Sequence, residues 1–322
     1  MPPEFATHER TLVCWPTRAD LYGELLPEAK RAHAALARTI SGYEPVTMIA
    51  RPRDVDEARS ACGESVDVAG IEIDDSWVRD TGPIYVRDGD ERVALDWTFN
   101  GWGNKFVPYD NDAKLASSWA ALAGHRTRRV EMVLEGGSIN VDGAGRLVTT
   151  EQCLLHENRN PSMSREQIEA RLCAELGVDE VVWLPHGVSM DDDTDGHVDN
   201  VAAFVAPGVL VMQGCDDESL VDHRLMGDNH AVAERHGLTI LDVPVLPVVQ
   251  YAGRTVQVPY LNFYVVNGAV IVPVAGYPDD DEMLALLGEY MPERDVIGLE
   301  IGGILACGGG GIHCITQQIP AL

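Results

Sequence analysis

One order of elements recurs along this chain and limits the folds open to it. Two apolar runs joined by a tight polar turn are followed by a loop, an amphipathic helical segment and a third apolar run. The order occurs over residues 84–133, 139–184, 198–243 and 263–299, with polar turns at Asp88-Gly89, Asp142-Gly143, Pro207-Gly208 and Asn267-Gly268. A fifth copy is split, because residues from 315 onward supply one strand and residues 11–73 supply the rest.

The spacing of these copies predicts the architecture. A period of roughly 45 to 65 residues, with a closing clasp between the chain ends, is typical of a radial repeat. We therefore predict an α/β fold, a five-bladed α/β propeller of ββαβ repeats with pseudo-fivefold symmetry, in which residues 1–322 form a single domain. Amphipathic helices are predicted at residues 27–43, 111–124, 164–177 and 280–290.

Composition limits the class of protein and its partners. The chain has 322 residues, 45% of them apolar, so it can bury a large core, and its N-terminus lacks the basic region and apolar run of a secretory signal. The formal net charge is −27, so neither nucleic acid nor a membrane is expected as a partner. The charge suits a cationic substrate, although solubility alone would also explain it. Seven cysteines without framework spacing favour free thiols and a cytoplasmic location.

A run of glycines near the C-terminus leads to a single cysteine. Residues 308–318 read Gly-Gly-Gly-Gly-Ile-His-Cys-Ile-Thr-Gln-Gln. Glycines leave room for a ligand to approach the backbone, and Ile315 and Thr316 favour a strand directly behind the sulfur. Cys314 is therefore predicted to face an opening at the start of a strand, as a nucleophile. A free cysteine is more often a small buried hydrophobe, so the prediction depends on what surrounds it.

The segments that precede the first strand of each copy hold the other unusual residues. They include Trp77-Val78-Arg79-Asp80 before the first copy, Glu135-Gly136-Gly137-Ser138 before the second, and the acidic run from Asp191 to Asp195 followed by Gly196-His197-Val198-Asp199 before the third. Equivalent positions of a radial repeat converge on one mouth of the central channel. We therefore expect the acids, the histidine and the cysteine to meet there.

These residue types suit one kind of substrate. A thiol, whose ordinary pKa is about 8.5, needs a cationic neighbour or a base to ionise, and His197 can supply either. Carboxylates oppose that ionisation, but Asp80 and Asp199 can bind the nitrogens of a flat guanidinium ion through paired, charge-assisted hydrogen bonds. A small cationic guanidino substrate is therefore predicted.

Four motifs in this order resemble those of the agmatine deiminase family. They are Trp-Val-Arg-Asp-Thr-Gly-Pro at residues 77–83, Glu-Gly-Gly-Ser-Ile at 135–139, Gly-His-Val-Asp-Asn at 196–200 and Gly-Ile-His-Cys-Ile-Thr-Gln-Gln at 311–318. That family lies within the guanidino-modifying superfamily of five-bladed α/β propellers, which also includes bacterial peptidyl-arginine deiminases. The likeness runs nearly end to end. It implies a hydrolase of linear amidines that converts agmatine into N-carbamoylputrescine and ammonia.

The resemblance also implies catalytic roles. Cys314 would attack the guanidinium carbon and form a covalent amidino-thioether intermediate. His197 would protonate the departing ammonia and then activate the water that releases the ureido product. Glu135 would hold the guanidinium and orient His197. Neither a cofactor nor a metal would be needed.

Four further residues would bind the substrate according to the same resemblance. Asp80 and Asp199 would clamp the guanidinium nitrogens, and Trp77 would wall the pocket. Asp193 would lie close to the free amine of the substrate, which favours an amine-tailed substrate over free arginine. Arg79 is expected to form a buried structural ion pair instead.

Several alternatives stay open at this stage. The family usually has asparagine where this chain has Gly311, and the segment 242–259 is shorter than is common, so the substrate could be another guanidino compound or a peptidyl arginine. His197 and Asp199 could instead hold the manganese of a ureohydrolase that releases urea. The acidic run at 191–196 resembles the first half of a calcium loop, but Ala202 stands where glutamate is required. A propeller without catalysis would be a binding protein, and a homodimer is compatible with the sequence.

Overall fold

Strands in five sheets and one separate hairpin form the frame of the protein, in a computed structural model that describes all 322 residues. The strands are β1 (His8–Cys14), β2 (Val46–Ala50), β3 (Asp67–Gly70), β4 (Ile84–Asp88), β5 (Glu91–Thr98), β6 (Arg126–Val133), β7 (Ile139–Val141), β8 (Arg146–Thr150), β9 (Glu180–Leu184), β10 (Ala202–Ala206), β11 (Val209–Gln213), β12 (Thr239–Val243), β13 (Val248–Tyr251), β14 (Arg254–Gln257), β15 (Tyr264–Val266), β16 (Ala269–Pro273), β17 (Asp295–Leu299) and β18 (Thr316–Pro320).

Helices connect the strands and cover the sheets. They are α1 (Ala19–Tyr22), α2 (Leu26–Ile40), α3 (Val55–Cys62), α4 (Val78–Thr81), α5 (Gly101–Asn104), α6 (Leu115–Ala123), α7 (Glu151–Leu154), α8 (Arg165–Leu176), α9 (Val221–Arg235), α10 (Asp280–Tyr290) and α11 (Gly302–Cys307). None of them combines the length and the apolar character that crossing a membrane requires.

The sheets repeat one pairing pattern. In the sheets β4-β5-β6, β7-β8-β9, β10-β11-β12 and β15-β16-β17, the first two strands are antiparallel and the third is parallel to the second. A parallel neighbour requires a crossover connection, and each crossover contains one helix longer than a single turn, namely α6, α8, α9 and α10; the single-turn helices α5 and α7 precede α6 and α8. These sheets are the four continuous ββαβ copies that the sequence predicts.

The two ends of the chain meet in the remaining large sheet, whose order is β18-β1-β2-β3. Thr11 of β1 pairs with Gln318 of β18 in the antiparallel direction, and β2 then pairs with β1 in parallel. The split fifth copy therefore forms as predicted, with β3 as an additional strand at its edge.

Local signals explain the ends of α8. Ser164 caps its first turn, because the Ser164 hydroxyl accepts from the amide of Gln167 while the Gln167 side chain accepts from the amide of Ser164 at 2.8 Å. Gly177 ends the helix in the left-handed conformation, with φ of 69°. The predicted bounds were less accurate at 27–43, where the helix ends at Ile40, and at 111–124, where a 3-10 turn precedes α6.

Hydrophobic clusters join each unit to the next. Val93 of β5 shares a cluster with Leu147 of β8, Val148 of β8 with Met212 of β11, Val211 of β11 with Val270 of β16, and Ile271 of β16 with Met48 of β2. A fifth cluster contains Leu12 of β1 and Ala94 of β5. Apolar contact therefore returns from the fifth unit to the first.

Candidate active site

A single helical turn precedes the first strand in four of the five units. Helix α4 precedes β4, and 3-10 turns at Gly136–Ser138, Val198–Asn200 and His313–Ile315 precede β7, β10 and β18. Helix α4 contacts the turns at Gly136–Ser138 and His313–Ile315, and the turn at Gly136–Ser138 contacts the one at Val198–Asn200. The structure thus brings the predicted pre-strand segments into one cluster.

Gly137 lies at the centre of this cluster. Its amide donates to Asp80 Oδ1 at 2.9 Å. A Cβ at this position would lie 2.6 Å from His197 Nδ1 and 2.9 Å from both Asp80 Oδ1 and Asp199 Oδ2, closer than such contacts occur. Only glycine therefore lets these three side chains approach one another so closely.

Cys314 opens into a narrow cavity. The cavity has a volume of about 20 Å³ and is also lined by Trp77, Asp80 and Asp193. Asp199 Oδ2 lies 3.6 Å from the Cys314 sulfur. Sequence reasoning missed the aromatic residues that complete the wall, Trp102 and Phe106, of which Trp102 donates from its indole nitrogen to Asp80 Oδ2 at 2.9 Å.

His197 is fully buried between two of the predicted acids. Its Nδ1 lies 3.8 Å from Asp80 Oδ1, and its Nε2 lies 3.9 Å from Glu135 Oε2. Neither ring nitrogen has a hydrogen-bond partner, and the same holds for Glu135 Oε2 and Asp199 Oδ1. Because an unpaired buried polar atom costs about 1–3 kcal/mol, these atoms form a set that a polar ligand would satisfy.

Burial and charge set the ionisation of the cysteine and the histidine in opposite ways. Burial, with further contributions from Asp199 and Asp80, raises the pKa of the Cys314 thiol well above its ordinary value. Burial disfavours the charged form of His197, but the Asp80 carboxylate, Cys153 and Glu135 outweigh it and raise the pKa of His197 well above its ordinary value. Without a ligand, these shifts favour a neutral thiol at Cys314 and a charged imidazole at His197.

The three acids differ in how easily they keep their charge. Burial raises the pKa of Asp80, and the nearby Asp199 adds to that effect. Burial also opposes the charge of Glu135, but Arg159 and His197 outweigh it and lower the pKa of that carboxyl. The pKa of Asp199 is likewise lowered, because its contact with His313 outweighs burial.

Arg159 holds Glu135 in place, a role that sequence reasoning did not assign. Its Nε donates to Glu135 Oε1 at 2.7 Å, one terminal nitrogen donates to Asp195 Oδ2 at 2.7 Å, and the other donates to the carbonyl of Thr194 at 2.9 Å. The arginine thereby occupies one oxygen of Glu135 and leaves Oε2 free. It also ties Glu135 to the loop that leads into His197.

A second histidine supports Asp199 from behind. His313 Nδ1 lies 2.9 Å from Asp199 Oδ2, and its Nε2 lies 2.7 Å from Glu4 Oε2. Arg79 donates to Glu4 at 3.1 Å and to Gln318 at 2.7 Å, so its predicted buried ion pair is present and its partner is Glu4. The sequence offered no local signal for this network, because Glu4 and His313 lie 309 residues apart.

The fourth unit contributes Asn262, which lies just before β15. Its Nδ2 donates to the Cys314 sulfur at 3.3 Å and to Asn200 Oδ1 at 3.0 Å, and its Oδ1 accepts from the amide of His313 at 3.0 Å. Asn262 thus donates a hydrogen bond to the sulfur from an uncharged group, whereas Asp199 and Asp80 place negative charge near it. A Cβ at Gly311 would lie 2.3 Å from Asn262 Oδ1, so glycine at this departure from the family fits the local packing.

The acidic run before His197 is part of the site. Asp191 is half-buried, and it accepts from the amides of Thr194 at 2.9 Å and His197 at 3.1 Å. Asp193 lines both the narrow cavity and an adjoining cavity of about 160 Å³. The short segment 242–259 contains the hairpin β13-β14, whose end lines the larger cavity.

Metal-ligand side chains also come together here, but they differ from the predicted pair. The group consists of Glu135, Cys153 and His197. Asp199 is outside it, and its Oδ2 contacts His313 instead. The acidic run at 191–196 uses Asp191 to order its own backbone amides, which does not resemble the arrangement of a calcium loop.

Comparison with known proteins identifies the family. Residues 1–320 match the model of the Porphyromonas-type peptidyl-arginine deiminase family. The chain is 41% identical to the agmatine deiminase of Stutzerimonas stutzeri, over 100% of this chain and 95% of that protein, and 38% identical to that of Ectopseudomonas mendocina over the same shares. The solved structure of agmatine deiminase from Enterococcus faecalis has a TM-score of 0.94 and 31% identity, covering 99% of this chain and 95% of that one. The chain therefore has the mixed α/β fold of these enzymes and belongs to the agmatine deiminase family.

Proposed function

We propose that the protein is an agmatine deiminase, a hydrolase that converts agmatine and water into N-carbamoylputrescine and ammonia. One observation carries the proposal beyond family membership. Asp199 lies against the Cys314 sulfur through its Oδ2, at 3.6 Å, and Asp199 Oδ1, Glu135 Oε2 and both ring nitrogens of His197 are buried without partners. A planar cation with several N–H donors satisfies the acids among them and brings its carbon towards the sulfur.

The first half of the reaction forms the covalent intermediate. Binding of the guanidinium ion offsets the repulsion between the acids and a thiolate, which lowers the pKa of the Cys314 thiol, so the thiol releases its proton to solvent when substrate is present. The sulfur then forms a bond to the guanidinium carbon. The charged His197 gives its proton to the departing nitrogen, the carbon–nitrogen bond breaks, and ammonia leaves an amidino-thioether on Cys314.

The second half releases the product. His197, now neutral, takes one proton from a water molecule, and the water oxygen bonds to the same carbon. The carbon–sulfur bond breaks, and the remaining proton of the water passes to the departing thiolate as the ureido carbonyl forms, which restores the thiol. His197 is charged again, so the site returns to its starting state.

Binding of the substrate is divided between the two cavities. Asp80 and Asp199 clamp the guanidinium nitrogens, and Glu135 binds it through Oε2, since Arg159 already occupies Oε1. Trp77 forms the wall of the narrow cavity. Asp193 lines both cavities and binds the amine at the end of the substrate tail.

We also propose the finer architecture, the assembly and the location. A five-bladed propeller over residues 1–322, forming one domain, is supported by five sheets of similar pairing and by hydrophobic clusters that return from the fifth unit to the first. Seven unpaired cysteines support a cytoplasmic location. A homodimer, with which the sequence is compatible, is also proposed, and sedimentation velocity tests it.

The function is tested by the products formed from agmatine. Purified protein is incubated with agmatine, arginine and a peptide containing arginine, and ammonia, ureido product and urea are measured. We expect ammonia and ureido product from agmatine, with turnover that iodoacetamide abolishes and EDTA does not. Urea as the product would indicate a metal ureohydrolase, and faster turnover of the peptide would refute agmatine as the substrate.

A further inference from the structure

A buried group of metal-ligand side chains lies behind the active-site cavity. Glu135, Cys153 and His197 each offer one ligand atom, and the three atoms all lie within 4.8 Å of one another. Each of these residues is 0% exposed. Cys153 has no part in the reaction proposed above, and it lies at the start of α7, where its amide donates to Thr150 Oγ1 at 3.2 Å.

The ligand atoms of this group lack protein partners. Both ring nitrogens of His197 and Glu135 Oε2 are buried without a hydrogen bond. Arg159 binds only the other oxygen of Glu135, at 2.7 Å, so the free oxygen faces His197, whose Nε2 is 3.9 Å away. Unpaired, fully buried polar atoms that point at one another and at a thiol are an independent sign of a place for a ligand.

We propose that Glu135, Cys153 and His197 form an inhibitory site for a divalent transition-metal ion, with Zn²⁺ as the preferred ion. Zinc binds thiolate, imidazole and carboxylate at about 2.0 to 2.3 Å and accepts three protein ligands with a fourth position left open. The three side chains need to close by only about 1 Å to reach tetrahedral distances. A thiolate ligand also disfavours Mg²⁺ and Mn²⁺, which prefer oxygen.

Inhibition follows from the atoms that the ion would occupy. His197 Nε2 and Glu135 Oε2 would bind the metal, so His197 could neither donate nor accept the protons of the reaction and Glu135 could not bind the guanidinium. Asp80 lines the cavity and lies 3.8 Å from His197 Nδ1, so the group adjoins a space that opens to solvent. Binding releases the proton of the Cys153 thiol and the extra proton of the charged His197, and inhibition is therefore expected to strengthen as the pH rises.

Metal binding is tested first, without reference to activity. Co²⁺ serves as a spectroscopic substitute for Zn²⁺, and wild type, C153S and C314S are titrated after removal of metals. We expect one Co²⁺ per chain with a thiolate-to-metal charge-transfer band in wild type and C314S, displaced by Zn²⁺, and loss of that band in C153S. Removing a residue that only hydrogen-bonds to a metal ligand lowers metal affinity by about 10–100-fold. Removing the thiolate ligand itself is therefore expected to lower the Co²⁺ affinity by more than about 100-fold.

Inhibition is then measured with agmatine, and each variant is compared with its own metal-free rate. C153S is expected to need about 100-fold more Zn²⁺ than wild type for the same fractional inhibition. If C153S does not fold, E135Q is titrated with Co²⁺ and is expected to bind it more weakly while keeping the charge-transfer band. The proposal is overturned if wild type binds no Co²⁺, if C153S keeps the band, or if C314S loses it, because the nucleophile would then be the thiolate ligand. Failure of the proposed deiminase activity would leave the binding result unaffected.

Discussion

The substitution Gly137→Ala tests how closely the active-site side chains converge. The added methyl group would lie 2.6 Å from His197 Nδ1, and 2.9 Å from the carboxylate oxygens of Asp80 and Asp199. Ordinary contacts of a Cβ begin at 3.4 Å, so the imidazole must move by roughly 0.8 Å, or the backbone of the turn must move instead. All three neighbours belong to the proposed catalytic machinery, so no direction of movement leaves it undisturbed.

The size of the effect follows from that displacement. A misplacement of about 1 Å at a reacting group costs about 100-fold in rate, so we expect kcat to fall by roughly that factor, or about 2.7 kcal/mol in activation free energy. Overpacking of a filled interior costs about 1–3 kcal/mol of unfolding free energy, so the variant should still fold. The loss of rate should therefore exceed any loss of folded protein.

The assay measures ammonia release from agmatine at saturating substrate, together with urea-induced unfolding. The matched control is Gly227→Ala in α9, where an added Cβ meets no atom within 4 Å. Alanine within a helix is favoured over glycine by about 0.5–1 kcal/mol, so the control should be slightly more stable and fully active. A Gly137→Ala enzyme with wild-type kcat would refute the convergence of these side chains around the glycine.

Three further predictions concern the charges around the site. Asn262→Ala removes the amide donor to the sulfur of Cys314, so kcat/KM should fall about tenfold. Because the donor favours the thiolate, part of this loss should be recovered at higher pH. An equal loss of kcat/KM at every pH would contradict the role of the donor. Burial raises the pKa of Asp80, and the reaction needs this group ionised, so the acid limb of kcat/KM should lie above the value of about 3.9 of an ordinary aspartate; a rate that is flat down to pH 4 would contradict the clamp. The contacts of Glu4 with His313 and Arg79 outweigh burial and lower the pKa of Glu4 from 4.5 to about 2, so its contribution to stability is present above pH 4.5 and is lost as the pH falls towards 2. Glu4→Gln should therefore lower the free energy of unfolding by roughly 3 kcal/mol at neutral pH and make it depend less on pH in the acid range. Urea unfolding at several pH values measures this, and a variant whose unfolding free energy falls as steeply with falling pH as that of wild type would refute the assignment.

The repeating pattern was predictable because its signals are local. Glycine-containing turns and apolar runs mark the hairpins of four units within a few residues each, and the same argument placed the split fifth copy at the chain ends. It also placed Cys314, His197, Glu135 and Asp80 in equivalent segments, so their meeting followed from one assumption of radial repetition. The hairpin β13-β14 was missed. Ala252 and Gly253, at its tip, adopt the positive φ angles of a tight turn, and Gly253 is the residue of this pair that favours such a turn in the sequence.

The residues that sequence reasoning missed act through contacts between distant parts of the chain. Asn262 lies 52 residues from Cys314, and Glu4 lies 309 residues from His313, so no local pattern links either pair. Asn262 nevertheless occupies the pre-strand position of the fourth unit, equivalent to the positions from which the other four units supply the site. Applying the repeat to all five units would have found it. Glu4 occupies no position of the repeat, and its contacts with His313 and Arg79 form only when distant parts of the chain come together in the fold.

The central claim is that Cys314 becomes covalently bonded to the substrate carbon during turnover. The direct measurement is mass spectrometry of the enzyme after acid quenching during steady-state turnover of agmatine, followed by peptide mapping. We expect the peptide that contains Cys314 to carry the mass of agmatine less ammonia, and we expect the adduct to be absent from C314S together with activity. Turnover without any adduct, or an adduct on another cysteine while C314S remains active, would contradict the account.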